Sequence, residues 1–161
     1  MRNALKSSKI TLIAVFIMWG FSDCNKQETA QQKYDREQET LQKYIADNHI
    51  TTLPTYTGLY YIETPPAGTG EKASYGRIVS VFYEGRLLDG TVFDSTDSIP
   101  FTFTVGISNV IPGWHEGLQL MRDGGKATLI IPSTLGYGPY GSGTIPPYTS
   151  LVFDIEVTNV Q

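Results

Sequence analysis

Apolar and polar positions alternate most cleanly over residues 150–160, SLVFDIEVTNV. Leu151, Phe153, Ile155 and Val157 fall on one side, and Asp154, Glu156 and Thr158 on the other. A period of two predicts a strand with one packed face. The same period runs through RIVSVFYEGRLL (77–88), with Val79, Val81 and Tyr83 together, and through PFTFTV (100–105), with Phe101, Phe103 and Val105. KATLIIP (126–132) presents Ala127, Leu129 and Ile131 to one side, and LYYIET (59–64) is a fifth strand candidate. In GWHEGLQLM (113–121) the period changes: Trp114, Leu118 and Met121 recur at helical spacing. Gly- and Pro-rich stretches such as PPAGTGEKASYG (65–76) supply the turns. The pattern predicts an α+β fold: an antiparallel sheet of about five strands, one face wet and the other packed on a short α-helix.

Before residue 57 the pattern is different. Arg2, Lys6 and Lys9 lead into the apolar run ITLIAVFIMWGF (10–21). A basic lead and a short apolar stretch predict a signal peptide over 1–23, because a membrane span needs about 20 apolar residues. Cys24 follows at once and is the only cysteine, so no intramolecular disulfide exists. A lone cysteine in FSDC resembles the lipidation site of bacterial lipoproteins, which implies acylation of Cys24 and a lipid anchor in a membrane. Such a protein is exported and resides in the cell envelope, in the periplasm or on the outer membrane. Residues 24–56 read as a polar helical spacer. Tyr34, Leu41, Tyr44 and Ile45 form only a thin apolar stripe there. That stripe fits a solvated helix leading away from a membrane, or a short helix docked on the domain or on a second copy. Residues 57–161 are the folded domain.

Composition narrows the chemistry. Charged residues are 17% of the chain and the net charge is −4, which gives no electrostatic reason for nucleic acid as a partner. GxSxG, P-loop and HExxH motifs are absent from the sequence. His49 and His115 are far apart without metal-spaced partners, so they read as exposed histidines and no metal site is expected. What remains is aromatic: ten Tyr, seven Phe, and a Trp114 placed directly after Pro112 and Gly113, at the mouth of a helix rather than inside it. A function built on such residues works through binding and environment, without a nucleophile.

VFYEGRLLDGTVFDST, PFTFTVG, VIPGWHEGLQLMRDGGKATLIIP, GYG and IPPYTSLVFDIEV occur in that order. Together they resemble the FKBP-type peptidyl-prolyl cis-trans isomerases over roughly residues 58–161. The lead resembles that of bacterial, Bacteroidetes-like lipoprotein members. The resemblance implies a twisted antiparallel sheet wrapped on a short helix, with a pocket between them whose floor is Trp114. It implies catalytic roles for Tyr83, Phe93, Asp94, Trp114 and Tyr137. It implies substrate contacts from Phe101, Val110, Ile111, Ile145 and Phe153, with the Ile111 amide donating to a substrate carbonyl. It implies no cofactor, proline-containing polypeptides as clients and macrolides as ligands. The implied activity is faster rotation about X-Pro bonds of exported proteins by desolvation in an aromatic pocket. A catalytically weak holdase or protein-binding module is the alternative, since a fold does not fix a function. Asn109 stands where the family often has an acidic residue, and the stretch GYGPYGSGTIPP (136–147) is shortened.

Overall fold

Two ten-residue strands form the spine of the fold, β2 (Ile78–Leu87) and β6 (Leu151–Val160). They pair antiparallel from Val79↔Val160 to Leu87↔Leu151. The computed structural model describes residues 27–161. The signal peptide expected over 1–23 and the lipidation expected at Cys24 lie outside the described residues. Outward from the spine, β5 (Lys126–Ile131) pairs with β6, and β1 (Tyr60–Thr64) pairs with β5. On the other side β2 carries both β3 (Val92–Ser95) and β4 (Phe101–Thr104). All six strands are antiparallel, in the order β1-β5-β6-β2-β3 with β4 also on β2. The fold is α+β, with six strands where the alternation gave about five. The addition is β3, whose four residues are mostly exposed and so carry no inward period.

The inner face of the sheet buries Val79, Val81, Leu129, Ile131, Leu151, Ile155 and Val157. Against it lies α2 (Pro112–Leu118), contributing Trp114 and Leu118. Pro112 occupies the first turn, where its missing N–H costs nothing. Two glycines bring this helix onto β5. A Cβ at Gly113 would stand 2.6 Å from Ile131 Cγ2, and one at Gly117 2.4 Å from Leu129 Cδ1. Met121, expected on the helix, lies beyond its end but is still buried.

At the end under α1 (Ala30–Asp47) the outer face departs from the expected wet surface, while Asp154, Glu156 and Thr158 keep the rest of it polar. Tyr60, Ile130 and Val152 are buried there beneath Leu41 of α1, with Tyr44 and Ile45 packed alongside. The stretches LII and LVF are apolar on both faces for this reason. The solvated-spacer reading of residues 24–56 therefore does not describe the helix. Leu41 is 2% exposed, and covering a leucine contributes about 1.5–3 kcal/mol. Thr29 opens α1 with a capping box, accepting from the Gln32 N–H while the Gln32 side chain accepts from the Thr29 N–H.

Candidate active site

A cavity of about 400 Å³ opens between α2 and the inner face of the sheet. Trp114 is 4% exposed at its base and is ringed by aromatic side chains. Tyr83 lies 4.9 Å from it at 83°, Phe153 5.3 Å at 87°, and Phe101 6.0 Å at 69°, centroid to centroid. These are edge-to-face contacts, the arrangement that aromatic quadrupoles favour. The position at the helix mouth explains the ring's role: a residue in the first turn of a short helix can reach under the open end of a sheet. The indole N–H is buried with no partner among the described residues. An orphan buried donor is costly, about 1–3 kcal/mol, and is rare in native folds.

Each wall has a local cause. Tyr83 sits on β2, its backbone fixed to Thr96: the Tyr83 N–H donates to the Thr96 hydroxyl at 2.8 Å and the Thr96 N–H to the Tyr83 carbonyl at 2.9 Å. Between Gly85 and Arg86 the pairing with β3 jumps from Asp94 to Val92, leaving Phe93 as the extra residue of a bulge. Bulges re-aim side chains beside functional sites. Here Asp94 reaches the cavity and accepts from the Tyr83 hydroxyl at 2.6 Å. Phe101 pairs with Val81 and stands 40% exposed at the mouth, stacked on buried Phe103. Val110 and Ile111 precede α2. Ile111 is its N-cap, with φ −60° and ψ 147°, and its carbonyl accepts from the Trp114 N–H at 3.0 Å. Tyr137 follows a 3₁₀ turn, Ser133–Leu135, and the loop behind it returns to Tyr148, whose N–H donates to the Gly138 carbonyl.

Of the ten residues that the resemblance implied around the pocket, eight line the cavity: Tyr83, Asp94, Phe101, Val110, Ile111, Trp114, Tyr137 and Phe153. Two do not. The Phe93 ring stands behind the wall, edge-on to Phe153 at 5.5 Å and 85°. Ile145 is 7% exposed within the core, and its carbonyl accepts from the Ser142 N–H. Asn109, Pro112 and Gly136 also line the cavity. The helix-start signal at Pro112 and the turn signal at Gly136 were visible in the sequence, but neither type bears chemistry that would mark it.

Among the described residues Asp94 is the only carboxylate of the lining. Burial, and then the hydrogen bond to Asp94, hold the Tyr83 phenol far above the usual tyrosine range. Burial, and then the charge of Asp94, raise Tyr137 as well. Both hydroxyls are therefore protonated donors throughout the neutral range. Among the described residues no three His, Cys, Asp or Glu side chains gather in a way that could hold a metal ion. His115 departs from the exposed reading. Its Nδ1 accepts from the Gly106 N–H at 2.8 Å, which leaves the proton on Nε2 to donate to the Ser108 carbonyl at 3.0 Å. It ties α2 to the loop that leads to Val110.

The profile of the FKBP-type peptidyl-prolyl cis-trans isomerases matches residues 69–158. An FKBP-type peptidyl-prolyl cis-trans isomerase FkpA from Aeromonas hydrophila is 38% identical over 145 residues, 86% of this chain and 54% of that protein. An FK506-binding protein from Neisseria meningitidis serogroup C is 43% identical over 106 residues, 64% of this chain and 97% of its own. The crystal structure of a peptidyl-prolyl cis-trans isomerase from Pseudomonas syringae pv. tomato superposes with a TM-score of 0.71 at 34% identity. That superposition covers 83% of this chain and 97% of the other. The chain spans about half the length of the FkpA relatives it matches. By sequence profile, by identity and by fold, the chain belongs to the FKBP-type peptidyl-prolyl cis-trans isomerase family.

Proposed function

We propose that this chain is an exported peptidyl-prolyl cis-trans isomerase that works by desolvating an X-Pro amide. The observation that carries the reading is the cavity itself: Trp114 forms its base, aromatic rings surround it, and the hydroxyl of Tyr83 already occupies its one carboxylate. Rotation about a peptide bond is opposed by about 18–20 kcal/mol of amide resonance. For X-Pro the isomers differ by only about 1 kcal/mol, so a catalyst need act on the rate alone. The planar amide is more dipolar than the twisted one, so water holds it in the ground state. An aromatic pocket withdraws that water and fits the twisted form better. A gain of four to six powers of ten needs roughly 6–8 kcal/mol.

The residue roles follow from position. The proline ring lies on Trp114, with Phe101, Val110 and Phe153 around it. The Ile111 N–H, ahead of the helix's own ladder, donates to a substrate carbonyl. Tyr137 donates from the opposite rim. Asp94 orients the Tyr83 hydroxyl and does not act as a proton shuttle. Phe93 and Ile145 act from behind the wall. Clients are proline-containing polypeptides, and FK506-type macrolides are ligands of the same cavity, as the names of the shorter relatives suggest.

For the segment before α1, we propose removal of residues 1–23 and acylation of Cys24, which holds the domain of residues 57–161 at a membrane. The support is the basic lead, the short apolar run and the lone cysteine. Mass spectrometry of the mature chain is expected to find an acylated Cys24 at its N-terminus. A mature chain that begins beyond Cys24 contradicts the anchor.

The activity is tested by exchange NMR on an X-Pro tetrapeptide with the whole chain. Cis and trans signals are expected to broaden and merge as enzyme is added. Binding of the peptide with no faster exchange would make the chain a protein-binding module instead.

A further inference from the structure

Glu37 of α1 is 5% exposed, yet its partners are neutral. Its Oε1 accepts from the Ser133 N–H at 2.6 Å and from the Ser150 hydroxyl at 2.7 Å, and its Oε2 accepts from the Ser133 hydroxyl at 2.5 Å. Taking a carboxylate out of water is expensive, and an apolar side chain would hold a helix to a sheet at less cost. Such a group is best explained by what it fixes in place.

Both serines stand at the feet of one loop. Ser133 opens the 3₁₀ turn, and its carbonyl accepts from the N–H groups of Gly136 at 2.9 Å and Gly138 at 2.8 Å, on either side of Tyr137. Ser150 directly precedes β6 and lies three residues ahead of Phe153. Between the two feet the loop is closed again where the Tyr148 N–H donates to the Gly138 carbonyl at 2.9 Å. One carboxylate on the far side of the sheet thus pins both ends of the segment that carries Gly136 and Tyr137 to the cavity.

We propose that Glu37 is a positioning residue for the candidate active site, clamping the two feet of the 133–150 loop so that Tyr137 is held at the cavity wall. Its effect on turnover rests on the isomerase reading; the clamp itself does not. Gln at this position keeps an acceptor for the Ser133 N–H and the Ser150 hydroxyl and offers an NH₂ to the Ser133 hydroxyl, whereas Ala removes every bond.

The test uses the whole chain carrying Glu37→Ala or Glu37→Gln, each confirmed folded by circular dichroism. With Ala, kcat/KM on an X-Pro tetrapeptide is expected to fall about tenfold, and with Gln to stay within about twofold. Amide NMR signals of Gly136, Tyr137 and Gly138 are expected to shift and broaden with Ala, while those of Phe101 to Thr104 hold. A lower melting temperature with unchanged kcat/KM and unchanged signals at 136–138 would make Glu37 a mere helix anchor and overturn the proposal. If Glu37→Ala does not fold, Ser133→Ala leaves Ser150 and the Ser133 N–H on Glu37 and takes the same readouts. Loss of activity with disturbed 136–138 signals is then expected, and no change in either overturns the clamp. Should the native chain prove inactive, the isomerase reading fails, and the NMR signals alone decide the clamp.

Discussion

Replacing Trp114 by alanine is expected to remove both turnover and a large part of the stability. The ring is 4% exposed and meets Tyr83, Phe101, Phe103 and Phe153. Truncating a buried aromatic to Ala costs about 3–5 kcal/mol, from lost transfer energy and from the cavity left behind. Each edge-to-face contact adds about 0.5–1.5 kcal/mol beyond burial. The cost is tempered because the orphan indole N–H disappears too. Trp114→Leu separates the two effects. Leucine keeps an apolar base and most of the fold but loses the flat face on which a proline ring would lie. A fall in kcat/KM of at least about tenfold is expected from Leu in a chain that still melts cooperatively. Denaturant unfolding and exchange NMR measure the two effects separately. A Leu variant with full turnover would remove Trp114 from the site.

Gly85→Ala is expected to damage the same site from the sheet side. In the interior of a strand, exchanging Gly for Ala ordinarily helps, because glycine loses more chain entropy on folding. At Gly85 the sign should reverse. An added Cβ would stand 2.6 Å from Phe153 Cε1 and 2.8 Å from Phe93 Cζ, well inside the 3.5–4.0 Å of a carbon contact. The Phe153 ring in particular has no room to yield. Phe153 is 3% exposed and edge-on to Trp114, and Phe93 is edge-on to Phe153. Overpacking of this kind costs about 1–3 kcal/mol. The displaced atom is a cavity wall, so activity is expected to fall along with the melting temperature. Gly85→Val should be worse than Ala on both counts. A stabilised, fully active Gly85→Ala chain would show that the two rings do not meet over this glycine.

The strands that alternate on one buried face were legible residue by residue, and so was the helix start at Pro112 that places Trp114. What the alternation missed has physical causes. β3 is short, exposed and interrupted by a bulge, and a period of two cannot express an extra residue. That bulge also separates Asp94, which lines the cavity, from Phe93, which stands behind Phe153. The motif alone treats the neighbours alike. Docking of α1 was obscured because only Leu41 is its fully buried apolar residue, while its other buried anchor is a glutamate. Read as a charge, Glu37 signals solvent. Its meaning depends on Ser133 and Ser150, about a hundred positions away in sequence. The signal that could have revealed the docking lies in the strands, where Ile130 and Val152 put apolar side chains on the face that Asp154, Glu156 and Thr158 otherwise mark as wet. His115 was misread for a similar reason. Its partners are backbone groups of a loop, which no side-chain spacing records.

In the proposed mechanism the aromatic environment, and no proton transfer, speeds the rotation. It is tested most directly by kcat/KM on an X-Pro tetrapeptide for the whole chain and for Asp94→Asn, in H₂O and D₂O from about pH 6 to pH 9. Burial and Asp94 hold the phenol of Tyr83 above its usual range, and burial raises Tyr137, so neither ionises in that window. Clear acceleration, a flat profile, a solvent isotope ratio near unity and a loss within about tenfold for Asp94→Asn are expected. No acceleration, or a bell-shaped profile with a large isotope effect and turnover abolished by Asp94→Asn, would contradict it.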